Sequence, residues 1–297
     1  MRPRGTVRNM AVPSWFTDTL GWKQASRSAT PVCVKYVGEP LGPNLADLSG
    51  PSSVRIAKAV YEILNIRRDR RTTFDIGSLE RKEASPFDDR RRPRAHALAA
   101  GIALEVGLEQ DIYTSLKELA PGRAWKVTRR GSANQFAQYR HLAHLQELLK
   151  SDPTLKTTVG RDYTVSSDVM VGLPNPRSAN LTHVLHAAVS CKLTIRSDRV
   201  QNVRVEFGTL VRNRRGRLPH LVVVTAEPLP SRLVSIGRGT GEIDTIYHLL
   251  FEQIDEALES LRNHDRFMNT QWQGWRELVE MERIRPYSEL SSALANG

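Results

Sequence analysis

Residues 186–233 read HAAVSCKLTIRSDRVQNVRVEFGTLVRNRRGRLPHLVVVTAEPLPSRL, and this stretch decides the fold. His186 to Ile195 alternates or runs apolar in the manner of a buried strand. Arg196-Ser197-Asp198-Arg199 then starts a helix, with Ser197 or Asp198 available as N-cap. Val200, Val203, Phe207 and Leu210 mark one face of that helix, which ends near Gly216. Leu221 to Glu227 is a second buried strand, and Pro228-Leu-Pro-Ser-Arg232 cannot continue a ladder of backbone bonds. Strand, helix and strand in that order predict an α/β protein, a mixed β-sheet flanked by helices.

Working outward, helical spacing of Ile56, Val60, Ile63 and Leu64 predicts a helix from Ser52 or Ser53 to about Asn65. A second helix is predicted from Ala95 to Leu119, stopped by Pro121-Gly122, and a third from about Asn134 to Leu149. Trp125 to Thr128 reads as a short strand and Tyr163 to Gly172 as a longer one running into a Pro-rich loop at 173–177. Gly241 to Asn263 reads as one long helix. Residues 67–94 carry ten basic and six acidic side chains and read as a solvated loop. The whole of 1–297 is taken as a single domain, with 264–297 a C-terminal extension.

Lys and Arg total 43 against 32 Asp and Glu, a net charge of +11, which favours a polyanionic partner through phosphate contacts and counterion release. No apolar run is long enough to span a bilayer, and Met1-Arg-Pro-Arg-Gly5 leads into no apolar segment of a secretory signal. The two cysteines, Cys33 and Cys191, make neither a disulfide framework nor a metal knuckle, so a reducing, cytoplasmic setting is expected.

Hydrolysis of a phosphodiester asks for a hard divalent cation held by carboxylates, an activated water, and positive charge facing the phosphorus. Asp168 sits on one predicted strand and Lys192 on the next. Side chains alternate along a strand, so Ser190 and Lys192 point one way and Cys191 the other. Glu206 borders the apolar stripe of the following helix, where an unpaired carboxylate is costly and a neighbouring cation would explain it. Arg196 and Arg199 flanking Asp198 suit the major groove, with arginine forks on guanine and the aspartate accepting from cytosine. An aspartate N-cap between solvated arginines is the plainer account of the same residues.

From Ser190 onward the sequence resembles the NgoMIV-type restriction endonucleases, the CCGG-cutting group of the PD-(D/E)XK nuclease superfamily. The likeness continues through Gly239-Thr-Gly-Glu-Ile-Asp244 and Tyr247-His248, with further matches at Ala46-Asp47, Ile56-Ala-Lys58 and Tyr139-Arg-His-Leu-Ala-His144. It implies a restriction-endonuclease-like fold and a Mg²⁺-dependent type II enzyme cutting double-stranded DNA. By position it makes Lys192 the catalytic lysine, Ser190 the serine of the group's S-x-K variant, Asp168 the main metal aspartate and Glu206 the acid displaced onto the helix. Glu105 corresponds to an additional active-site glutamate, and the implied metal set is Asp168, Glu105 and Cys191. Arg196, Asp198 and Arg199 would read the central CCGG. Asp47 and Arg232, with Ser49, match positions that read the outer pair, giving GCCGGC. A homotetramer of two dimers and 5′ overhangs follow from the same resemblance.

The chain departs from the group at Ser167, where a proline usually precedes the aspartate, and the interval from Asp168 to Lys192 is short; Asp162 is the alternative acid. Glu109, one helical turn from Glu105, is the alternative second carboxylate. Two rival functions are a repair nuclease on the same scaffold and a basic DNA-binding protein without catalysis. His183 and His186 read as packing residues rather than general bases, and Trp272 and Trp275 as helix packing rather than base stacking. Gly237-Arg-Gly-Thr-Gly241 lacks the Lys-Ser/Thr ending of a phosphate loop and reads as a turn before a helix.

Overall fold

A computed structural model describes residues 12–23, 42–48, 50–67, 95–151, 154, 157, 165–175, 182–195, 197–239 and 241–297, with only the backbone for 95–100 and 197–200. The N-terminal part holds helix α1 (Ser14–Thr17), a short antiparallel pair of strands β1 (Trp22–Lys23) and β2 (Gly42–Pro43), and helix α2 (Pro51–Ile63). Helix α3 (Ala95–Leu119) leads to strand β3 (Lys126–Ser132). Two 3-10 turns at Ala133–Gln135 and Ala137–Tyr139 precede helix α4 (Arg140–Ser151), so the helix expected from Asn134 begins later. Strands β4 (Ser166–Pro174) and β5 (His183–Lys192) follow, then helix α5 (Ser197–Asn213), strand β6 (His220–Thr225) and helix α6 (Pro230–Gly237).

The segment expected to be one helix from Gly241 divides: strand β7 (Thr245–His248) comes first and helix α7 (Phe251–Leu261) second. Ile246, Leu249, Leu250 and Ile254 fall at helical spacing, but a parallel strand buried on both faces also reads as a continuous apolar run. Helix α8 (Arg266–Glu280), strand β8 (Ile284–Pro286) and helix α9 (Leu290–Asn296) complete the chain. Residues 264–297, set apart above as an extension, thus supply an edge strand of the sheet and a helix packed on α3.

The main sheet has the order β3-β4-β5-β6-β7-β8. Pairing is antiparallel from β3 to β5 and parallel from β5 to β8, as the mixed α/β class requires. Every residue from Leu185 to Cys191 is buried, which explains why β5 shows an apolar run in place of alternation. Each parallel step needs a crossover: α5 links β5 to β6, α6 links β6 to β7, and α7 and α8 link β7 to β8.

The register then sets the stage for the site. Lys192 pairs with Thr225 and Thr225 with His248, so the last residues of β5, β6 and β7 lie in one row. Antiparallel pairing of Val169 with Val189 brings the start of β4 to that same edge. Loops leaving the carboxyl ends of parallel strands are where open α/β sheets build their sites. No described helix is long and apolar enough to cross a membrane.

Candidate active site

Asp168 projects from the start of β4 and gathers three donors on one oxygen. Its Oδ2 accepts from Lys192 Nζ at 2.5 Å, from the Cys191 backbone N–H at 2.7 Å and from Ser190 Oγ at 3.3 Å. Ser190 and Lys192 therefore share one side of β5, as their spacing requires, and Cys191 meets Asp168 through its main chain. The Cys191 thiol is buried, and burial pushes its pKa well above the usual 9.0, so it stays protonated. Lys192 and Asp168 keep about a fifth of their side-chain surface open (19% and 23%), enough for the pair to be reached from solvent.

Glu206, on α5, adjoins this pair. Burial raises its carboxyl from 4.5 to about 7, opposed by a hydrogen bond from Ser167 and by the Lys192 charge. Its Oε1 is buried and has no hydrogen-bond partner among the described residues. An orphaned buried carboxylate oxygen is a costly feature that asks for a ligand.

Glu105, on α3, accepts from Arg130 Nε at 2.7 Å and from Arg129 at 3.5 Å. Glu109 accepts the Arg129 backbone N–H at 3.1 Å and is thereby tied to β3. Arg130 has a φ of +52°, a conformation that residues other than glycine seldom adopt and that concentrates at functional positions. Among the described residues no three His, Cys, Asp or Glu side chains converge as a metal cage. Of the expected set, Asp168 and Cys191 meet through the Cys191 N–H, and Glu105 is held by Arg130 and Arg129. Asp168 lies close enough to Glu206 to act on its charge, and both offer hard oxygen ligands of the kind Mg²⁺ takes one or two at a time.

A second polar centre lies two residues beyond β6, and sequence reasoning missed it. Glu227 is fully buried. Its Oε2 accepts the Ile195 backbone N–H at 2.6 Å and Arg232 at 3.4 Å, and its Oε1 accepts the Leu229 N–H at 3.0 Å. Burial nevertheless outweighs these donors and lifts its carboxyl to about 7. Arg232 also pairs with Asp47 at 2.7 Å, so two residues far apart in sequence meet. The one available signal was an acid placed between a four-residue aliphatic run and a proline, where a solvated side chain is not expected. Ser49, Asp162 and Arg196 lie outside the described residues, as do the side chains of Asp198 and Arg199. The backbone of Ser197–Asn213 is helical from its expected start.

Of the residues read as packing, His186, Trp272 and Trp275 do pack, and His183 is partly buried. His186 is buried, with Nε2 2.8 Å from the Leu294 carbonyl oxygen, and lies edge-on to Trp125 and His220. Trp275 is buried and donates to Asp255, and Trp272 donates to Glu259. Gly237 to Gly241 precedes β7 rather than a helix, and Arg283 donates to the carbonyls of Gly237, Gly239, Ile243 and Asp244. A loop whose carbonyls face an arginine offers no cradle for phosphate.

Comparison with known proteins agrees with this geometry. The family model described as NgoMIV restriction enzyme matches residues 100–176 and 172–295. The type II restriction enzyme NgoMIV of Neisseria gonorrhoeae is 40% identical over 184 residues, covering 52% of this chain. The match spans 64% of that relative's length, just under two thirds.

Proposed function

The chain belongs to the NgoMIV restriction enzyme family, and from that premise we propose that it is a type II restriction endonuclease that hydrolyses double-stranded DNA with Mg²⁺. The observation that carries this reading is the convergence of Lys192, Ser190 and the Cys191 N–H on one oxygen of Asp168, beside the buried and unsatisfied Glu206.

Asp168 would hold the cation, with Glu105 as second carboxylate once it exchanges Arg130 for the ion. Glu109, fixed to the backbone of β3, is the poorer choice. When bound, the ion supplies positive charge against the scissile phosphate. Ser190 and the Cys191 N–H fix the rotamer of Asp168. Lys192 orients the attacking water and offsets charge growing on phosphorus. Glu206 supports the metal site or the lysine. Arg196, Asp198 and Arg199 read the central CCGG. Asp47, Ser49 and Arg232 read the outer pair, making the site GCCGGC with 5′ overhangs. The residues 1–297 act as one nuclease domain in a homotetramer of two dimers.

The test is digestion of a plasmid of known sequence with Mg²⁺, followed by mapping of the ends. Cuts should fall at GCCGGC, and Lys192→Ala should slow them by about a thousandfold or more while DNA binding persists. Cutting by Lys192→Ala at the unaltered rate would remove the assigned chemistry.

A further inference from the structure

The two sets of base-reading residues proposed above come from distant parts of the chain. One begins at Arg196, directly after Ile195. The other is the ion pair of Arg232 with Asp47. A single buried carboxylate touches both: Glu227 Oε2 accepts the Ile195 N–H and also Arg232. Its other oxygen holds the Leu229 N–H, in the loop that leads to Arg232.

Glu227 is itself fixed through both of its backbone groups. Its own N–H is accepted by Thr225 Oγ1 at 3.1 Å, at the end of β6. His248 Nε2 lies 3.0 Å from its carbonyl oxygen, and the Leu250 N–H is donated to His248 Nδ1 at 3.1 Å. The ring thus donates from Nε2 and accepts at Nδ1, as a neutral imidazole does. His248 in turn stacks edge-on against the buried Trp275. The anchor therefore runs from the ends of two parallel strands into the helical layer.

From this arrangement we propose that Glu227 is a specificity-determining positioning residue: it sets the start of α5 and the Arg232 guanidinium in one frame, so that the inner and outer base pairs are read together. The proposal rests on the functional reading above. Glu227 touches no DNA in this account. It acts by fixing backbone and guanidinium directions, and base discrimination by arginine forks is sensitive to those directions.

The distinguishing signature is a joint loss. Cleavage rates are measured on three duplexes: GCCGGC, one changed at the outer pair, and one changed at an inner pair. Arg232→Ala should lower discrimination at the outer pair alone, and Arg196→Ala at the inner pair alone. Glu227→Gln keeps the side chain's shape but sets an amide N–H against backbone N–H donors or Arg232. It should lower discrimination at both positions by about tenfold or more. Tyr139→Phe removes a buried hydrogen bond to Leu210, near the far end of the same helix, and should lower stability while leaving both ratios unchanged. If Glu227→Gln does not fold, Thr225→Val frees the Glu227 backbone while keeping its carboxylate and should give a smaller joint loss.

A folded Glu227→Gln enzyme with both ratios at the wild-type value would overturn the proposal, as would a change confined to one pair. If Thr225→Val is the variant that folds, unchanged ratios there overturn it equally. Failure of the wild-type enzyme to prefer GCCGGC would instead overturn the recognition reading on which it stands.

Discussion

Glu206 on α5 and Glu227 beyond β6 are both glutamates that burial lifts from 4.5 to about 7. Their surroundings differ. Glu227 has two backbone N–H groups and a guanidinium arranged around its two oxygens. Glu206 has a bond from Ser167 and an Oε1 without a partner among the described residues. A filled polar shell is what a structural network needs, and an unfilled one is what a site leaves for its ligand. On the proposed function, the same shift marks scaffolding in one place and chemistry in the other, and the donor inventory is what separates them.

Substitution should split the pair most widely in stability. Glu227→Ala strands two backbone N–H groups and removes one of the two carboxylates that face Arg232, Asp47 remaining, and should cost about 2–5 kcal/mol, read as a lowered Tm. Glu206→Gln at pH 8 removes a buried charge and should leave Tm unchanged or raised, while cleavage falls about tenfold or more. Equal destabilisation by the two changes would erase the distinction.

The pH dependence of stability sharpens it further. A raised carboxyl favours the folded state below 4.5, and that advantage is lost as pH rises through 7. His186 and His248 behave oppositely, because burial lowers both from 6.5 to about 4. Their contribution is present above 6.5 and lost as pH falls toward 4. Between about 4.5 and 6.5 these two glutamates and two histidines oppose one another. His141, His183 and His220 are also lowered by burial and Glu252 is raised by it, so the histidines prevail and stability should rise with pH in this window. Asp265 and Glu277 are lowered by their hydrogen bonds and titrate below this window. Glu206→Gln removes one opposing group, so the rise should steepen by about 1.4 kcal/mol per pH unit. Urea unfolding across this range measures the slope, and a variant slope equal to the wild type's would contradict the assignment.

How much of this was legible in the chain depends on the range of each interaction. Lys192 and Ser190 are readable because a strand of apolar residues fixes the side of every second residue, and pairing with β4 delivers Asp168 to them. The helix near Ser197 is readable from the apolar spacing of Val203, Phe207 and Leu210, although Ser197 and Asp198, the expected caps, already lie within it. Thr245–His248 was hidden because a four-residue strand with three buried residues in a row carries no alternation, and its apolar positions fit a helical period as well. Glu227 was hidden for another reason. Its partners Ile195 and Arg232, and Asp47 beyond them, come together only through the parallel register of β5 with β6 and the approach of the N-terminal segment. Glu105 was legible as an acid near the site, but its capture by Arg129 and Arg130 was not, since that depends on where α3 crosses β3.

The smallest test addresses the one hydrogen bond that Glu206 does receive. Ser167 stands where the related enzymes usually carry proline, and its single hydroxyl proton can go to the Val189 carbonyl at 3.2 Å or to the Glu206 carboxylate. A bond from a hydroxyl favours the ionised carboxylate, so losing it should raise the Glu206 pKa above 7, by under one unit if the bond is worth about 1 kcal/mol. Ser167→Ala should therefore extend to higher pH the range over which Glu206 binds a proton in the folded state. Titrating the side-chain carboxyl by NMR in Ser167→Ala and in the wild type measures the difference directly. The same substitution leaves the donors of Glu227 untouched, so its titration should not move. A downward shift at Glu206 would mean that the hydroxyl accepts from a protonated carboxyl, and the unpartnered oxygen would then belong to an acid already neutral and not to one awaiting a cation.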